Sequence, residues 1–213
     1  MDDLYDMGTR IGSGGFGTVK DIIHASTFQP YAVKVMQKSS FHGSSGSAEE
    51  DSERKKDSTE LTEANFRDIM ELLMNKRHRF MATIERVFED RACYYVVMQK
   101  CTGGDLQKHI SKLQDRKQRF DEESLREVVR MVADALRFLH SMSRVHRDVK
   151  PENVLYETEA RQLVKLADFD MCCNCEESIA VHLGDLYAES GHILQGSFSA
   201  VSKPNVASYS SLE

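Results

Sequence analysis

The chain has no tryptophan, three prolines, and no apolar run near the roughly 20 residues that a membrane-spanning helix needs. No membrane span is expected. A basic excess is also missing: 28 Lys and Arg stand against 34 Asp and Glu, a formal net charge of −6, which argues against nucleic acid as a partner. The start, Met1-Asp2-Asp3-Leu4-Tyr5-Asp6, is acidic where a secretory signal is basic and then apolar, and position 2 is not the glycine of a myristoylation site. The five cysteines, at 93, 101, 172, 173 and 175, are odd in number. A disulfide framework is therefore not expected, and a reducing intracellular compartment fits better. Cys172-Cys173-x-Cys175 lacks a second Cys/His pair at zinc-finger spacing, although His182 and His192 follow, and reads as loop cysteines. No D-x-[DN]-x-[DN]-G run supplies a calcium loop. What remains, 40% hydrophobic and 29% charged over 213 residues, is ordinary globular composition with ample chain for a core.

The chemistry-bearing residues concentrate late in the chain. His146-Arg147-Asp148-Val149-Lys150-Pro151-Glu152-Asn153 puts an Asp, a Lys and an Asn within six positions. Asp168-Phe169-Asp170 follows the apolar run Leu163-Val164-Lys165-Leu166-Ala167. These residue types can hold a divalent metal and a phosphate beside a hydroxyl that must lose a proton. Near the start, Gly12-x-Gly14-x-x-Gly17 would by itself serve a dinucleotide site equally well. In that fold the third glycine opens a helix. Here Thr18-Val19-Lys20-Asp21-Ile22-Ile23 is rich in β-branched residues and predicts a strand. The glycines then form a hairpin turn whose N–H groups can approach phosphates, although a plain glycine-rich hairpin fits the same residues. Tyr31 to Met36 alternates, with Ala32, Lys34 and Met36 on one face and Tyr31, Val33 and Val35 on the other. Lys34 is placed to meet a phosphate beneath the hairpin; taken alone, it reads more readily as a lysine that snorkels to solvent, the usual fate of strand lysines.

Between these motifs the chain divides by composition. Residues 39–60 are Ser/Gly-rich and then densely charged, too polar to offset their ordering entropy. Phe66, Ile69, Met70, Leu73 and Met74 make one helical stripe beginning near Thr62. Residues 80–88 and 92–98 read as two strands about the turn Glu89-Asp90-Arg91, the second apolar enough to be buried on both faces. Gln99 to Asp105, with its Gly-Gly pair, reads as a flexible junction. Residues 106–113 predict a short helix. Asp121 is a good N-cap for a longer one whose stripe is Leu125, Val128, Val129, Val132, Ala135, Leu136 and Leu139.

In their order, Gly12-x-Gly14-x-x-Gly17-x-Val19, Ala32-Val33-Lys34, Gly103-Gly104-Asp105, the 146–153 run and Asp168-Phe169 resemble a eukaryotic-type protein kinase. The resemblance covers about residues 5–171. Lys150, two after Asp148, resembles the serine/threonine-specific branch, and the Gly-Gly-Asp junction is similar to the calcium/calmodulin-dependent and cyclic-nucleotide-dependent groups. The resemblance implies an α+β, bilobal fold. Residues 1–102 would form an N-lobe of a five-stranded antiparallel sheet plus one helix, with 39–60 a disordered insertion. Residues 103–175 would form an incomplete, mainly helical C-lobe, and 176–213 a poorly ordered tail. It further implies transfer of the ATP γ-phosphate, with Mg²⁺, to a Ser/Thr hydroxyl of a protein substrate in the cytoplasm. Ile11, Gly12, Gly14, Gly15, Phe16 and Gly17 would cover the nucleotide, and Lys34 would hold its α- and β-phosphates. Val19, Ala32 and Leu155 would sandwich the adenine, Met98 would be the gatekeeper, the Gln99 and Cys101 backbone would read the adenine edge, and Asp105 would meet the ribose. Asp148 would orient the hydroxyl and accept its proton, Lys150 would steady the γ-phosphate, and Asn153 and Asp168 would hold Mg²⁺.

Three features depart from that family's pattern. The glutamate that should pair with Lys34 has no counterpart: the family spacing back from His78 lands on Ile69, leaving Asp68 and Glu71 as candidates. Asp170 replaces the glycine of Asp-Phe-Gly, adding negative charge beside the metal position. The pattern ends after about Cys175, without an Ala-Pro-Glu run. The chain is thus expected to be a truncated kinase, a nucleotide-binding pseudokinase or scaffold, or an incomplete gene model of a longer kinase. Apolar surface on the 125–139 helix should then be exposed. Ser178 falls in the expected activation loop, with Arg147 the family's partner for a phosphate there.

Overall fold

The computed structural model describes residues 3–14, 17–41 and 62–175. Gly15, Phe16, residues 42–61, which hold most of the expected 39–60 insertion, and the 176–213 tail with Ser178 lie outside the described residues. Five strands, β1 (Tyr5–Gly14), β2 (Gly17–His24), β3 (Pro30–Gln37), β4 (Ile84–Glu89) and β5 (Cys93–Gln99), form one antiparallel sheet in the order β1-β2-β3-β5-β4. Alternation along β3 separates the faces of this sheet. Met36 joins Tyr94 and Val96 in the main core, while Val33 joins Val97, Tyr5 and Ile22 in a smaller cluster on the other side. β5 is covered on both faces, as its nearly unbroken apolar sequence predicts. Helix α1 (Glu63–Asn75) starts where the Thr62 side chain accepts a hydrogen bond from the Asn65 N–H at 3.2 Å, and it buries Phe66, Ile69, Met70 and Leu73.

Two boundaries differ from the sequence reading. Lys38–Phe41 forms a 3₁₀ turn, so the first residues of the expected insertion belong to the fold. The cause is Phe41, a buried ring whose centroid lies 5.1 Å from Phe66 and 5.6 Å from Tyr94. Phe80 to Thr83 do not extend β4. Phe80, Met81 and Ala82 are buried in succession rather than alternately, between the sheet and β8 (Val164–Leu166). There the Leu166 N–H donates to the Phe80 carbonyl and the Ala82 N–H to the Leu166 carbonyl, both at 2.8 Å.

The second part of the chain contains α2 (Leu106–Asp115) and α3 (Glu122–Ser141), capped by Asp105 and Asp121. Short strands follow: β6 (Arg144–Val145) pairs with β9 (Cys173–Asn174), and β7 (Val154–Tyr156) pairs with β8. α3 buries Val128, Met131, Ala135 and Leu139, whereas Leu125 and Val129 remain 42% and 58% exposed among the described residues. The Gly-Gly junction is pinned rather than flexible. Thr102 and Gly103 donate to the carbonyls of Glu157 (3.0 Å) and Tyr156 (3.1 Å), and Tyr156 donates back to Gly104 at 2.8 Å. A Cβ at Gly103 would run into the Thr158 carbonyl and the Tyr156 side chain, so close backbone approach demands glycine there.

Candidate active site

After α3 and β6 the chain enters the 146–153 loop. His146 is 2% exposed. Its Nδ1 accepts from the Asp148 N–H at 3.3 Å. A backbone amide can only donate, so the ring proton sits on Nε2, which donates to the Ala167 carbonyl at 3.1 Å. Burial disfavours the imidazolium and lowers the His146 pKa. The loop then closes on itself. Asn153 Nδ2 donates to the Asp148 carbonyl at 2.8 Å and to Asp148 Oδ2 at 2.9 Å, and Lys150 Nζ donates to the same Oδ2 at 2.7 Å. Burial alone would raise the Asp148 pKa, but Lys150 and Asn153 outweigh it and hold the carboxyl below its ordinary range. Asp148 is thus an ionised acceptor near neutral pH. The Ala167 N–H donates to the Asn153 carbonyl at 2.9 Å, fastening this loop to the 168–170 segment.

Lys34, on the core face of β3, is 5% exposed. Its Nζ donates to Asp168 Oδ1 at 2.7 Å and to Asp170 Oδ2. Neither Asp68 nor Glu71 supplies its partner, which corrects the sequence expectation. The helical period carries both off the buried 66/69/70/73 stripe. Asp68 instead pairs with Arg144 at 2.5 Å, and Glu71 is exposed. Burial works against the Lys34 charge, but Asp170 and Asp168 together more than offset it, so its pKa lies above the ordinary value. Burial pushes the Asp170 carboxyl up to about 6, with the Asp168 charge adding to the rise and Lys34 opposing it. Asp168 (φ 65°) and Arg147 (φ 63°) both adopt the left-handed region, which costs a non-glycine residue ~1 kcal/mol or more and here sits at the site itself. Arg147 Nε donates to the Met171 carbonyl at 2.6 Å, tying the segment after Asp170 to the loop. A cavity of about 20 Å³ adjoins Lys34, lined among others by Met70, Met98, Asp168, Phe169 and Asp170.

The remaining described positions lie on β1, β2, β3, β5, the junction after β5 and β7. Gly12 faces Val19 and Gly14 faces Gly17 across the β1–β2 hairpin, with Ile11 exposed. A Cβ at Gly17 would strike the Val35 carbonyl, so sheet packing by itself requires this glycine. Ala32 lies opposite Met98 on neighbouring strands. Gln99 ends β5 with its N–H on the Thr83 carbonyl at 2.9 Å. Cys101 is half-buried, and burial pushes its thiol up to about 11. Leu155 bridges Asp105. Asp105 is the N-cap of α2: Oδ1 accepts from the Lys108 N–H at 2.7 Å and Oδ2 meets Lys108 Nζ at 2.8 Å. That cap was legible, since an Asp stands directly before a helical run, and the sequence reading missed it. Nothing in the sequence pairs Asp170 with Lys34. Cys172 and Cys173 are buried, and burial pushes the Cys172 thiol up to about 12, which suits packing rather than reactivity.

A five-stranded sheet with one helix, joined by a glycine junction to a helical part whose Asp/Lys/Asn loop abuts an Asp-Phe-Asp segment, is protein-kinase architecture. Residues 5–189 match the protein kinase domain model, and the chain belongs to that family. The match continues past Cys175, where the motif-based resemblance ends. Among relatives, the chain is 31% identical over 167 residues to the probable serine/threonine-protein kinase fhkC of Dictyostelium discoideum, covering 78% of this chain and 25% of that protein. It is 31% identical over 173 residues to MAP kinase-interacting serine/threonine-protein kinase 2 of Xenopus laevis, covering 80% and 32%. To human serine/threonine-protein kinase H1 it is 33% identical over 152 residues, covering 71% and 30%. The chain thus spans at most about a third of these relatives' length. A crystal structure of Rad53 in complex with AMP-PNP is similar at a TM-score of 0.60 and 29% identity, covering 78% of this chain and 38% of that one. The chain is therefore a protein kinase domain, and these relatives are named as serine/threonine-protein kinases. No helix among the described residues is long and apolar enough to cross a membrane.

Proposed function

We propose that this domain binds ATP with Mg²⁺ and transfers the γ-phosphate to a Ser/Thr hydroxyl of a protein substrate. The observation that carries this reading is the fastening of two chemically complementary groups at one cleft: the ionised Asp148 with Lys150 and Asn153, and the buried Lys34 with Asp168. The donor set suits the metal, because the Asp168 carboxylate and the Asn153 amide oxygen are hard oxygen ligands of the kind Mg²⁺ takes. Bound there, the metal would neutralise phosphate charge. Lys34 would hold the α- and β-phosphates, and the backbone of the Gly12–Gly17 turn would lie over them. Ile11, Val19, Ala32, Met98 and Leu155 would enclose the adenine, Gln99 and Cys101 would read its edge, and Asp105 would reach the ribose through the oxygen it now shares with the exposed Lys108. Asp148 would take the hydroxyl proton on Oδ1 while Lys150 and Asn153 hold Oδ2. The AMP-PNP in the similar Rad53 structure supports a nucleotide in this cleft. Five free thiols suit a reducing, cytoplasmic compartment.

The test uses the purified chain, measuring ATP·Mg²⁺ binding and phosphate transfer to a basic protein. Asp148→Asn is expected to cut transfer on the order of 10²–10³-fold, as loss of a general base does, while binding persists. Transfer indifferent to Asp148→Asn would sink the catalytic assignment. Binding without transfer would make the chain a pseudokinase, and absence of Mg²⁺-dependent binding would remove both readings.

A further inference from the structure

A buried ammonium must be paired, or it gives up its charge. α1 packs beside Lys34 but offers it no carboxylate: Ile69, Met70 and Leu73 face the core, and Met70 lines the cavity next to Lys34. Asp68 lies across on Arg144. The carboxylates that reach Lys34 come from the far end of the domain, and the two differ. The Asp168 side chain is 28% exposed, while that of Asp170 is 6% exposed. Asp170 also sits outside the left-handed region, unlike Asp168, so its side chain needs no backbone strain to reach Lys34. α1 has separate moorings. Asn65 Nδ2 donates to the Cys172 carbonyl at 3.2 Å, and Asp68 holds Arg144.

We propose that Asp170 is the positioning residue for Lys34, filling from beneath the role that a carboxylate on α1 would otherwise fill from the side. Asp168 is thereby left with a cleft-facing carboxylate for a ligand, and Lys34 keeps its place when α1 shifts. The substitution of an acid at position 170 and the absence of one on the inner face of α1 are then a single compensated change. This rests on the kinase reading only for what Lys34 does once positioned.

The experiment follows the Lys34 side-chain ammonium by ¹⁵N NMR in the full, nucleotide-free chain, with Lys34→Arg assigning the signal. A buried, hydrogen-bonded ammonium exchanges slowly with water. Asp170→Asn is expected to speed that exchange by about tenfold, the scale of one lost charge-assisted hydrogen bond. Met70→Glu added to Asp170→Asn should restore slow exchange, and Asp68→Asn alone should change nothing. Unchanged exchange in Asp170→Asn, or a fast signal in the folded double variant, overturns the proposal. If Asp170→Asn does not fold, Met70→Glu with Asp170→Gly decides by the same criterion. ATP·Mg²⁺ affinity is measured alongside and should fall and recover in parallel. The expected exchange pattern in a chain without nucleotide affinity would uphold Asp170 as the anchor and remove the kinase activity instead.

Discussion

The loop that carries Asp148 and the Lys34 side chain are both tied to the 167–170 segment, yet they are built in opposite ways. The partners of Asp148, Lys150 and Asn153, lie two and five residues along the chain, and Lys150 is half exposed. The partners of Lys34 lie 134 and 136 residues away, and the contact with Asp170 is almost wholly buried while that with Asp168 is partly so. The electrostatic outcome differs accordingly. Local donors hold Asp148 below its ordinary range, whereas burial pushes Asp170 up to about 6. A locally closed loop keeps its geometry wherever the loop forms. A pair assembled from both ends of the chain exists only when the sheet and the helical part are docked.

That contrast can be broken by substitutions of graded effect. Asp168→Asn should be the largest. It removes the proposed Mg²⁺ ligand and one of the two Lys34 partners, so both transfer and ATP·Mg²⁺ affinity should drop, transfer by on the order of 10³-fold. Nucleotide titration beside a transfer assay checks this; intact affinity would place Asp168 outside the phosphate site. Next comes Leu139→Ala, at a fully buried position of α3. It should cost about 2–5 kcal/mol in urea unfolding. A smaller loss would mean that the helix carrying the local loop is poorly packed. Gly103→Ala should cost about 1–3 kcal/mol by overpacking, read from the same unfolding curves, because the junction backbone must move away from Thr158. The smallest effect concerns pH. His146 is held neutral when folded, its pKa lowered chiefly by burial, while the unfolded chain takes up that proton near its ordinary value of about 6.5. The unfolded state therefore binds more protons as pH falls through that range, and stability is lost from pH 7 to 5. In His146→Gln this part of the loss should vanish, so its urea midpoint should fall less between the two pH values. Equal falls in both proteins would show that His146 does not contribute.

Much of the fold was legible because its signals are local. Thr62 and Asp121 cap the helices they precede, and the stripe Phe66, Ile69, Met70, Leu73 is the face that α1 buries. The alternation of β3 names both sheet faces. Phe41 was not legible, since one ring in a polar stretch reads as loop until α1 and β5 close around it. Phe80 to Thr83 misled for a related reason. An apolar run of that length reads as strand, and only the docking of the helical part turns it into the seam with β8.

By itself, the sequence determined the chemical kit and its local geometry. Asp148, Lys150 and Asn153 stand within six positions, where short-range hydrogen bonds need no other part of the chain. It also determined the alternation that turns Lys34 inward. Tertiary structure alone decided what Lys34 meets there. The side chains that α1 buries are all apolar, so the buried charge takes its partners from the 168–170 segment, and no periodicity or spacing links residues that lie more than a hundred positions apart.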